Sequence, residues 1–310
     1  MNWIKKVLHI GEKIKKVIKK RPSKEEIEKS SWTTCCSGPI LKSELEENQW
    51  VCKLCGKHHR ISCIDRFDLF FGKNNYEILE TPIPNDDPLN WEDSKPYIER
   101  LKLARKTTRQ KCGVMIATGN IDGINITVGA INFQFIGGSI GSAEGEAIIY
   151  GAQHAIDNKN PFIFFTSGGG QRMHESPIAL AQMARTTLAI NELKKINLPY
   201  LVCFTDPTAG GITASFASLS DIAISEPGAL IAFAGRRVIE ATVKEKLDEN
   251  FQKAERVLEC GFIDLIIERK DLSEKIATLL KILLKKNSVE SAINIDETTE
   301  NTRSISPIAS

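Results

Sequence analysis

Three consecutive glycines follow a short apolar run, in an arrangement that could bind negative charge. The apolar run, Phe162–Phe165, is typical of a strand buried on both faces. The glycines that follow it are Gly168, Gly169 and Gly170. Because glycine has no Cβ, a ligand can approach its backbone N–H closely. A helix should start next, with Ser176 as its N-cap and Pro177 in its first turn. A turn of this kind at a helix N-terminus can stabilise an anion, or a charge that develops in a transition state.

Two similar turns flank this one along the chain. A predicted strand over Ile124–Phe135 leads to Gly137 and Gly138, before a helix over Glu144–Ile156. A second predicted strand, Pro199–Phe204, leads to Gly210 and Gly211, before a helix of small residues over Ile212–Leu219. The repetition predicts successive ββα units of an α/β core. An isolated glycine pair is more often a turn that the fold requires. Three turns without a dedicated base favour oxyanion stabilisation, with acid–base chemistry supplied by a cofactor.

Other catalytic motifs are incomplete. Gly137, Ser139 and Gly141 match the GxSxG pattern of hydrolases, which also needs an acid and then a histidine downstream. Only His154 and His174 follow Ser139, both within 35 residues, which argues against a triad. The sequence contains neither a GK[ST] phosphate loop nor a complete GxGxxG dinucleotide pattern. If ATP matters to this protein, we expect a partner to bind it.

A cysteine-rich segment precedes the glycine turns. Cys52 and Cys55 form a CxxC pair, which places two thiolates on one turn for a tetrahedral metal such as Zn²⁺. The matching upstream pair is incomplete, since Cys35 and Cys36 are adjacent and Gly38 stands where a second cysteine is expected. Bound Zn²⁺ and a ribbon that has lost its metal both remain open. Three further residues could substitute as ligands: His58, His59 and Cys63.

Composition suggests four regions in this chain of 310 residues. Residues 1–31 form a basic amphipathic arm, with ten Lys/Arg against four Glu in the first 30, for docking or for contact with nucleic acid or an anionic membrane. We expect a ribbon-like domain over 32–63, a catalytic domain over 64–286 and a disordered tail over 287–310. No apolar run reaches the roughly 20 residues of a membrane helix. Eight cysteines without a secretory signal indicate a reducing compartment.

Several stretches in one order carry a family resemblance. They are Trp32–Cys35, Asp65–Leu69, Phe133–Glu146, Ser167–Glu175, Leu198–Ala217 and Glu226–Leu247. With them, the chain resembles the carboxyltransferase β subunits of the multisubunit acetyl-CoA carboxylases of bacteria and plastids. The resemblance implies a crotonase-like (ClpP/crotonase) ββα superhelix and a small N-terminal zinc ribbon. It also implies transfer of a carboxyl group from carboxybiotin to acetyl-CoA, which gives malonyl-CoA for fatty acid synthesis.

The resemblance also implies partners and a location. The expected partners are a carboxyltransferase α subunit in an α2β2 complex, biotin carboxylase, and the carrier protein that holds biotin, with ATP used elsewhere in the complex. The expected location is the bacterial cytoplasm or the plastid stroma, and the resemblance does not imply a nucleic-acid ligand. Two alternatives remain: a non-catalytic relic that binds nucleic acid or a partner, and a biotin-dependent acyl-CoA decarboxylase subunit.

Carried over by position, the resemblance assigns roles to particular residues. Backbone donors to the oxyanion are implied at Gly168, Gly169, Gly170, Gly137 and Gly138. Substrate contacts are implied at Gly210, Gly211, Arg172, Arg236 and Arg237, and metal ligands at Cys35, Cys36, Cys52 and Cys55. For Arg172 the alternatives are a CoA phosphate and a structural salt bridge, and for Arg236 and Arg237 they are CoA and the partner subunit. The family sequence SGGARM is one residue longer here, as Ser167-Gly-Gly-Gly-Gln-Arg172-Met. The sequence therefore leaves open which two N–H groups face the thioester.

Overall fold

A computed structural model describes residues 31–35 and 38–285, which fall into two compact units divided between Lys57 and His58. The smaller unit pairs strand β1 (Trp32–Cys35) with strand β2 (Gly38–Leu41) in antiparallel register. Helix α1 (Lys42–Glu47) follows directly. Cys35, Leu45 and Cys52 form its small core. The unit therefore has little apolar packing of its own, as is common where a metal stabilises a small fold.

The larger unit is built on a seven-stranded sheet whose strands follow chain order from β3 to β9. The strands are β3 (Tyr76–Leu79), β4 (Val114–Ile121), β5 (Ile124–Ile131), β6 (Phe162–Gly168), β7 (Tyr200–Thr208), β8 (Ile222–Ser225) and β9 (Leu265–Ile266). Strands β3 to β5 pair antiparallel, and β5 to β9 pair parallel. The carboxyl ends of the parallel strands therefore lie at one edge, where ligand sites of α/β folds form.

Helices cover both faces of this sheet. They are α2 (Cys63–Phe71), α3 (Tyr97–Thr108), α4 (Ser142–Asn158), α5 (Ser176–Lys195), α6 (Arg236–Val243), α7 (Ala254–Glu259) and α8 (272–285). Strand β6 is buried along its whole length. Its Phe162 and Phe164 belong to one apolar core, and its Ile163 and Phe165 to the other. The sequence prediction of a strand buried on both faces is confirmed.

Two local predictions are wrong. Ser176 is the first residue of α5 rather than its cap, with φ 46°, and the cap position belongs to Glu175. Residues 212–219 do not form an α-helix; they form turns that end in a 3₁₀ turn, Phe216–Leu219. The hydroxyl of Thr213 donates to Ala232 O, and that of Ser215 donates to Gly211 O. Such side-chain bonds to the backbone compete with helix formation.

Two predicted regions fall outside the described residues: the basic arm, apart from Ser31, and the tail over 287–310. Within residues 31–35 and 38–285, no helix combines the length and the apolar content that crossing a membrane would need.

Candidate functional site

The three glycine turns meet at the carboxyl ends of β5, β6 and β7. A Cβ on Gly138 would lie 2.1 Å from Ser167 O, and one on Gly168 would lie 2.2 Å from Gly138 O. The third turn packs less tightly but is still in contact, because a Cβ on Gly170 would lie 3.2 Å from the nitrogen of Gly211. Only glycine allows backbones to approach this closely. The sequence-predicted glycines are therefore brought together at one site.

Backbone hydrogen bonds tie the turns to one another. Gly169 N–H donates to Gly137 O (3.1 Å), and Ile140 N–H donates to Gly170 O (2.9 Å). On the other side, the N–H of Ala209 donates to Gly168 O (2.9 Å). A shift of any one turn would therefore disturb the other two.

These bonds also decide which N–H groups are already occupied. Besides Gly169, the N–H of Gly138 is engaged, because it donates to Phe135 O (3.0 Å). The structure therefore does not support Gly138 and Gly169 as donors to a ligand. The N–H groups of Gly137, Gly170 and Gly211 have no acceptor within the described part of the chain. Gly168 is the last residue of β6, and its role as a donor stays a prediction.

Arg172 is buried in an internal network and is not available to a CoA phosphate. Its side chain is only 1% exposed. Its Nη2 contacts Glu144 Oε1 (2.8 Å) and donates to Ser139 O (2.6 Å), while its Nε donates to Ser139 Oγ (3.3 Å). Its Nη1 donates to Tyr97 OH (3.1 Å) and to Glu175 Oε1 (3.4 Å). Of the two readings of Arg172, substrate contact and structural salt bridge, the geometry supports the salt bridge.

Arg236, another predicted CoA contact, is also engaged within the chain. Its Nε donates to Glu240 Oε1 (3.1 Å), and its Nη2 donates to the carbonyl oxygens of Leu247 and Asp248. The side chain of Arg237 lies outside the described part of the structure. A CoA contact by either arginine stays a prediction.

The GxSxG serine is not part of a hydrolase triad. Ser139 Oγ donates to Ile136 O (2.8 Å) and accepts from Arg172. His154 Nδ1 instead contacts the hydroxyl of Thr127 (3.1 Å), and the ring of His174 stacks on Tyr97. Neither histidine is therefore placed to act as a general base on Ser139.

A second buried ionic cluster, which the sequence analysis missed, lies after β8. Glu226 is 2% exposed and contacts the guanidinium groups of Arg66 (2.6 Å) and Arg269 (2.6 Å). Burial alone would raise the pKa of Glu226, but the two arginines hold it well below its usual value. The cluster joins the start of α2 to the segment before α8. It borders a small cleft that is also lined by Ser167 and Asp206, near the ends of β6 and β7.

The smaller unit holds a candidate metal centre. The sulfurs of Cys35, Cys52 and Cys55 lie within 4.8 Å of one another, with Cys35 and Cys55 separated by 3.3 Å. Thiolates bound tetrahedrally to one Zn²⁺ stand about 3.8 Å apart, given Zn–S bonds of about 2.3 Å. The knuckle turn is formed, because Gly56 N–H donates to Cys52 O (2.9 Å). Three thiols of the right type therefore fit Zn²⁺, while Cys36 lies outside the described residues.

Two of the substitute ligands are used elsewhere. His58 lies in the larger unit, 3.5 Å from Glu226 Oε2. Cys63 begins α2, where its thiol donates to Ala130 O (3.2 Å). Burial raises the pKa of Cys63 to about 12, so it is a protonated thiol at neutral pH. The structure does not support either residue as a zinc ligand.

Comparison with known proteins identifies the family. The carboxyl transferase domain model matches residues 93–307. The acetyl-coenzyme A carboxylase carboxyl transferase subunit β of Pelagibacter ubique (strain HTCC1062) is 64% identical over 312 residues, covering 100% of both chains. This chain belongs to that family of β subunits. A further member, from Chelativorans sp. (strain BNC1), is 46% identical over 251 residues, covering 81% of this chain and 82% of that one.

Solved structures support the fold that this family implies. The transcarboxylase 12S subunit superposes with a TM-score of 0.59 at 21% identity, over 77% of this chain and 43% of that one. The MdcD–MdcE heterodimer of a Pseudomonas malonate decarboxylase gives 0.54 at 22% identity, over 73% of this chain and 86% of that one. Likeness at this identity shows the fold alone. It confirms the predicted crotonase-like α/β architecture, and the cysteine cluster is consistent with the predicted ribbon.

Proposed function

We propose that this chain is the β subunit of an acetyl-CoA carboxylase carboxyltransferase, which transfers the carboxyl group of carboxybiotin to acetyl-CoA and forms malonyl-CoA for fatty acid synthesis. Membership of the β-subunit family supports this function, since one relative is 64% identical over its full length. The chemistry of the glycine site agrees with it. Transferases of this kind must stabilise negative charge on the thioester oxygen while the methyl group of the acetyl thioester loses a proton.

The juxtaposed glycine turns are the observation that carries the proposal. The N–H groups of Gly137, Gly170 and Gly211 have no acceptor among the described residues and lie on turns in direct backbone contact. Backbone donors fixed in this way do not reorganise when charge develops, which is why such sites accelerate enolate formation. We assign these three N–H groups as the candidate donors to the thioester oxygen.

Biotin reaches this site on a separate carrier protein, and it supplies the carboxyl group when it is bound. The part played by this chain is to hold the acetyl thioester against the glycine turns and to stabilise its enolate. The α subunit completes the active site, in an α2β2 complex that works with biotin carboxylase and the carrier protein. ATP is consumed elsewhere in that assembly. We place the complex in the bacterial cytoplasm or the plastid stroma, with Zn²⁺ held by the cysteine ribbon.

The reverse reaction tests the proposal directly. The chain is co-purified with the α subunit of the same organism and mixed with malonyl-CoA and biocytin, a soluble biotin analogue. We expect acetyl-CoA to form only when both subunits and biocytin are present. A folded α/β complex that transfers no carboxyl group would refute the function. Formation of acetyl-CoA without biocytin would instead indicate a decarboxylase that needs no biotin. Biocytin-dependent formation of acetyl-CoA that releases CO₂ and leaves no carboxybiocytin would indicate a biotin-dependent decarboxylase, and salt-dependent RNA binding without CoA affinity would indicate a non-catalytic relic.

A further inference from the structure

The loop from Gly169 to Glu175 carries a candidate donor, so whatever fixes this loop controls the site. Its start is held by the backbone bonds to the Gly137 turn described above. Its end is held by side chains. Arg172 bonds both oxygens of Ser139, and Glu175 Oε2 accepts from Ser142 N–H (2.6 Å). The positive charge of Arg172 and the negative charge of Glu175 thus hold the Gly169–Glu175 loop against Ser139 and Ser142, which follow the Gly137 turn.

Tyr97 holds these two charges in place from a separate helix. It lies at the start of α3 and is 1% exposed. Its hydroxyl donates to Glu175 Oε1 (2.7 Å) and accepts from Arg172 Nη1 (3.1 Å). Its ring stacks on His174, with centroids 4.9 Å apart and planes 11° apart. One side chain therefore contacts three of the four residues from Arg172 to Glu175.

The hydroxyl has no obvious substitute in this network. Burial would raise the pKa of Glu175, but its hydrogen bonds from Tyr97 and Ser142 keep the pKa below its usual value. Without the hydroxyl, Glu175 Oε1 would keep only the 3.4 Å contact with Arg172, and Arg172 Nη1 would lose its closer acceptor. Buried charges that lose a partner move to find another, and both charges here are anchored to the glycine turns.

We propose that Tyr97 is a positioning residue for carboxyl transfer, which acts through Arg172 and Glu175 to fix the Gly170 N–H at the thioester oxygen. The inference rests on the proposed function. It assigns a role to α3, whose sequence carries no catalytic motif. Because the geometry matters when charge develops on the oxygen, the effect should fall on kcat rather than on KM.

The test uses Tyr97→Phe in the complex with the α subunit, assayed with malonyl-CoA and biocytin well below the melting temperature. We expect kcat to fall at least tenfold, equivalent to about 1.4 kcal/mol, with KM for malonyl-CoA unchanged. Tyr200→Phe is the matched control. Tyr200 is fully buried, and its hydroxyl has no hydrogen-bond partner among the described residues. Its removal should leave kcat at the wild-type value.

A purely structural role for Tyr97 predicts a different outcome. Tyr97→Phe would then melt earlier but keep wild-type kcat and KM at low temperature, and that result would overturn the proposal. If Tyr97→Phe does not fold, Glu175→Gln is assayed instead, and wild-type kcat and KM in that variant would likewise overturn the proposal. The loss of kcat in the double variant should be smaller than the product of the two single losses, because both changes act on the same network of Tyr97, Arg172 and Glu175. An inactive wild-type complex would refute the proposed function itself, so the two failures are distinguishable.

Discussion

Substitution of Gly138 by alanine tests whether the close approach of the glycine turns is what makes the site work. Gly138 has φ +64°, and a Cβ there would lie 2.1 Å from Ser167 O and 2.9 Å from Gly168 Cα. Real Cβ contacts essentially never fall below 3.0 Å, so the two turns must separate by about 0.9 Å. The N–H of Gly138 is itself occupied. The variant therefore changes the spacing of the donors without removing one.

The expected loss follows from this displacement. A misplacement of about 1 Å in a preorganised site can cost roughly 100-fold in rate, which corresponds to about 2.7 kcal/mol. Because the donors act on the charge of the transition state, kcat and kcat/KM should fall together while KM stays constant. Alanine at a positive φ also destabilises the fold, by about 1–3 kcal/mol. These two effects need separate controls.

Two other alanine variants separate the collision from the backbone strain. Gly168→Ala produces the same collision, 2.2 Å from Gly138 O, without a positive φ. Gly123→Ala has φ +83° and meets nothing within 4 Å in the β4–β5 turn, so it carries the strain alone. In the malonyl-CoA and biocytin assay, we expect the first to lose activity and the second to keep it. Folded Gly138→Ala and Gly168→Ala complexes with wild-type kcat would refute the reasoning.

Three further predictions concern the ionic cluster, the buried thiols and the ribbon. Glu226→Gln should lower the free energy of unfolding at pH 7 by about 3–5 kcal/mol, because it leaves two buried guanidinium groups without their carboxylate. The folded pKa of Glu226 is depressed, so the stability that its carboxylate contributes is present above the unfolded pKa of about 4.3 and is lost as pH falls. The free energies of unfolding of variant and wild type, measured by urea titration, should therefore converge in acid. Iodoacetamide at pH 8 should modify the exposed Cys260 in the folded chain, whereas Cys63, which is buried and has a pKa of about 12, should react only after unfolding. Peptide mapping that finds Cys63 modified in the folded chain would contradict its burial. Metal analysis should find one Zn²⁺ per chain, lost in Cys52→Ser, and a folded wild-type chain without zinc would contradict the ribbon assignment.

The sequence predicted the core of the fold because its strands have an unambiguous pattern. The run Phe162–Phe165 has no polar position, and its aromatic and β-branched residues before a glycine turn are typical of a short strand covered on both sides. The apolar pattern of the sequence could not predict where β6 and β7 end. Both strands continue past their apolar runs, to Gly168 and Thr208, because pairing with neighbouring backbone does not depend on side-chain type.

The residues that position the site were harder to find. Tyr97 lies 75 positions before Arg172, and Glu226 lies 160 positions after Arg66, so no local spacing links the partners. A buried arginine also looks like a substrate-binding arginine in a sequence. Only the count of acceptors around Arg172 separates the two cases. A glutamate directly before a glycine-containing turn, as in Glu226-Pro-Gly, was the available signal, and its type alone did not predict burial.

The donors themselves could not be assigned from residue types, because a backbone N–H is the same in every residue except proline. Glycine at this site allows the backbones of the turns to approach closely, and this close approach engages some of their N–H groups in hydrogen bonds with one another. Where Gly138 packs against Ser167, the N–H of Gly169 donates to Gly137 O. The glycines in closest contact therefore use their hydrogen-bonding groups on each other. The groups left for a substrate are those at the margins of the contact, at Gly137, Gly170 and Gly211. In the run Gly168–Gly170, therefore, the N–H of Gly169 forms an internal bond that holds the loop in place, and the N–H of Gly170 is left for a substrate.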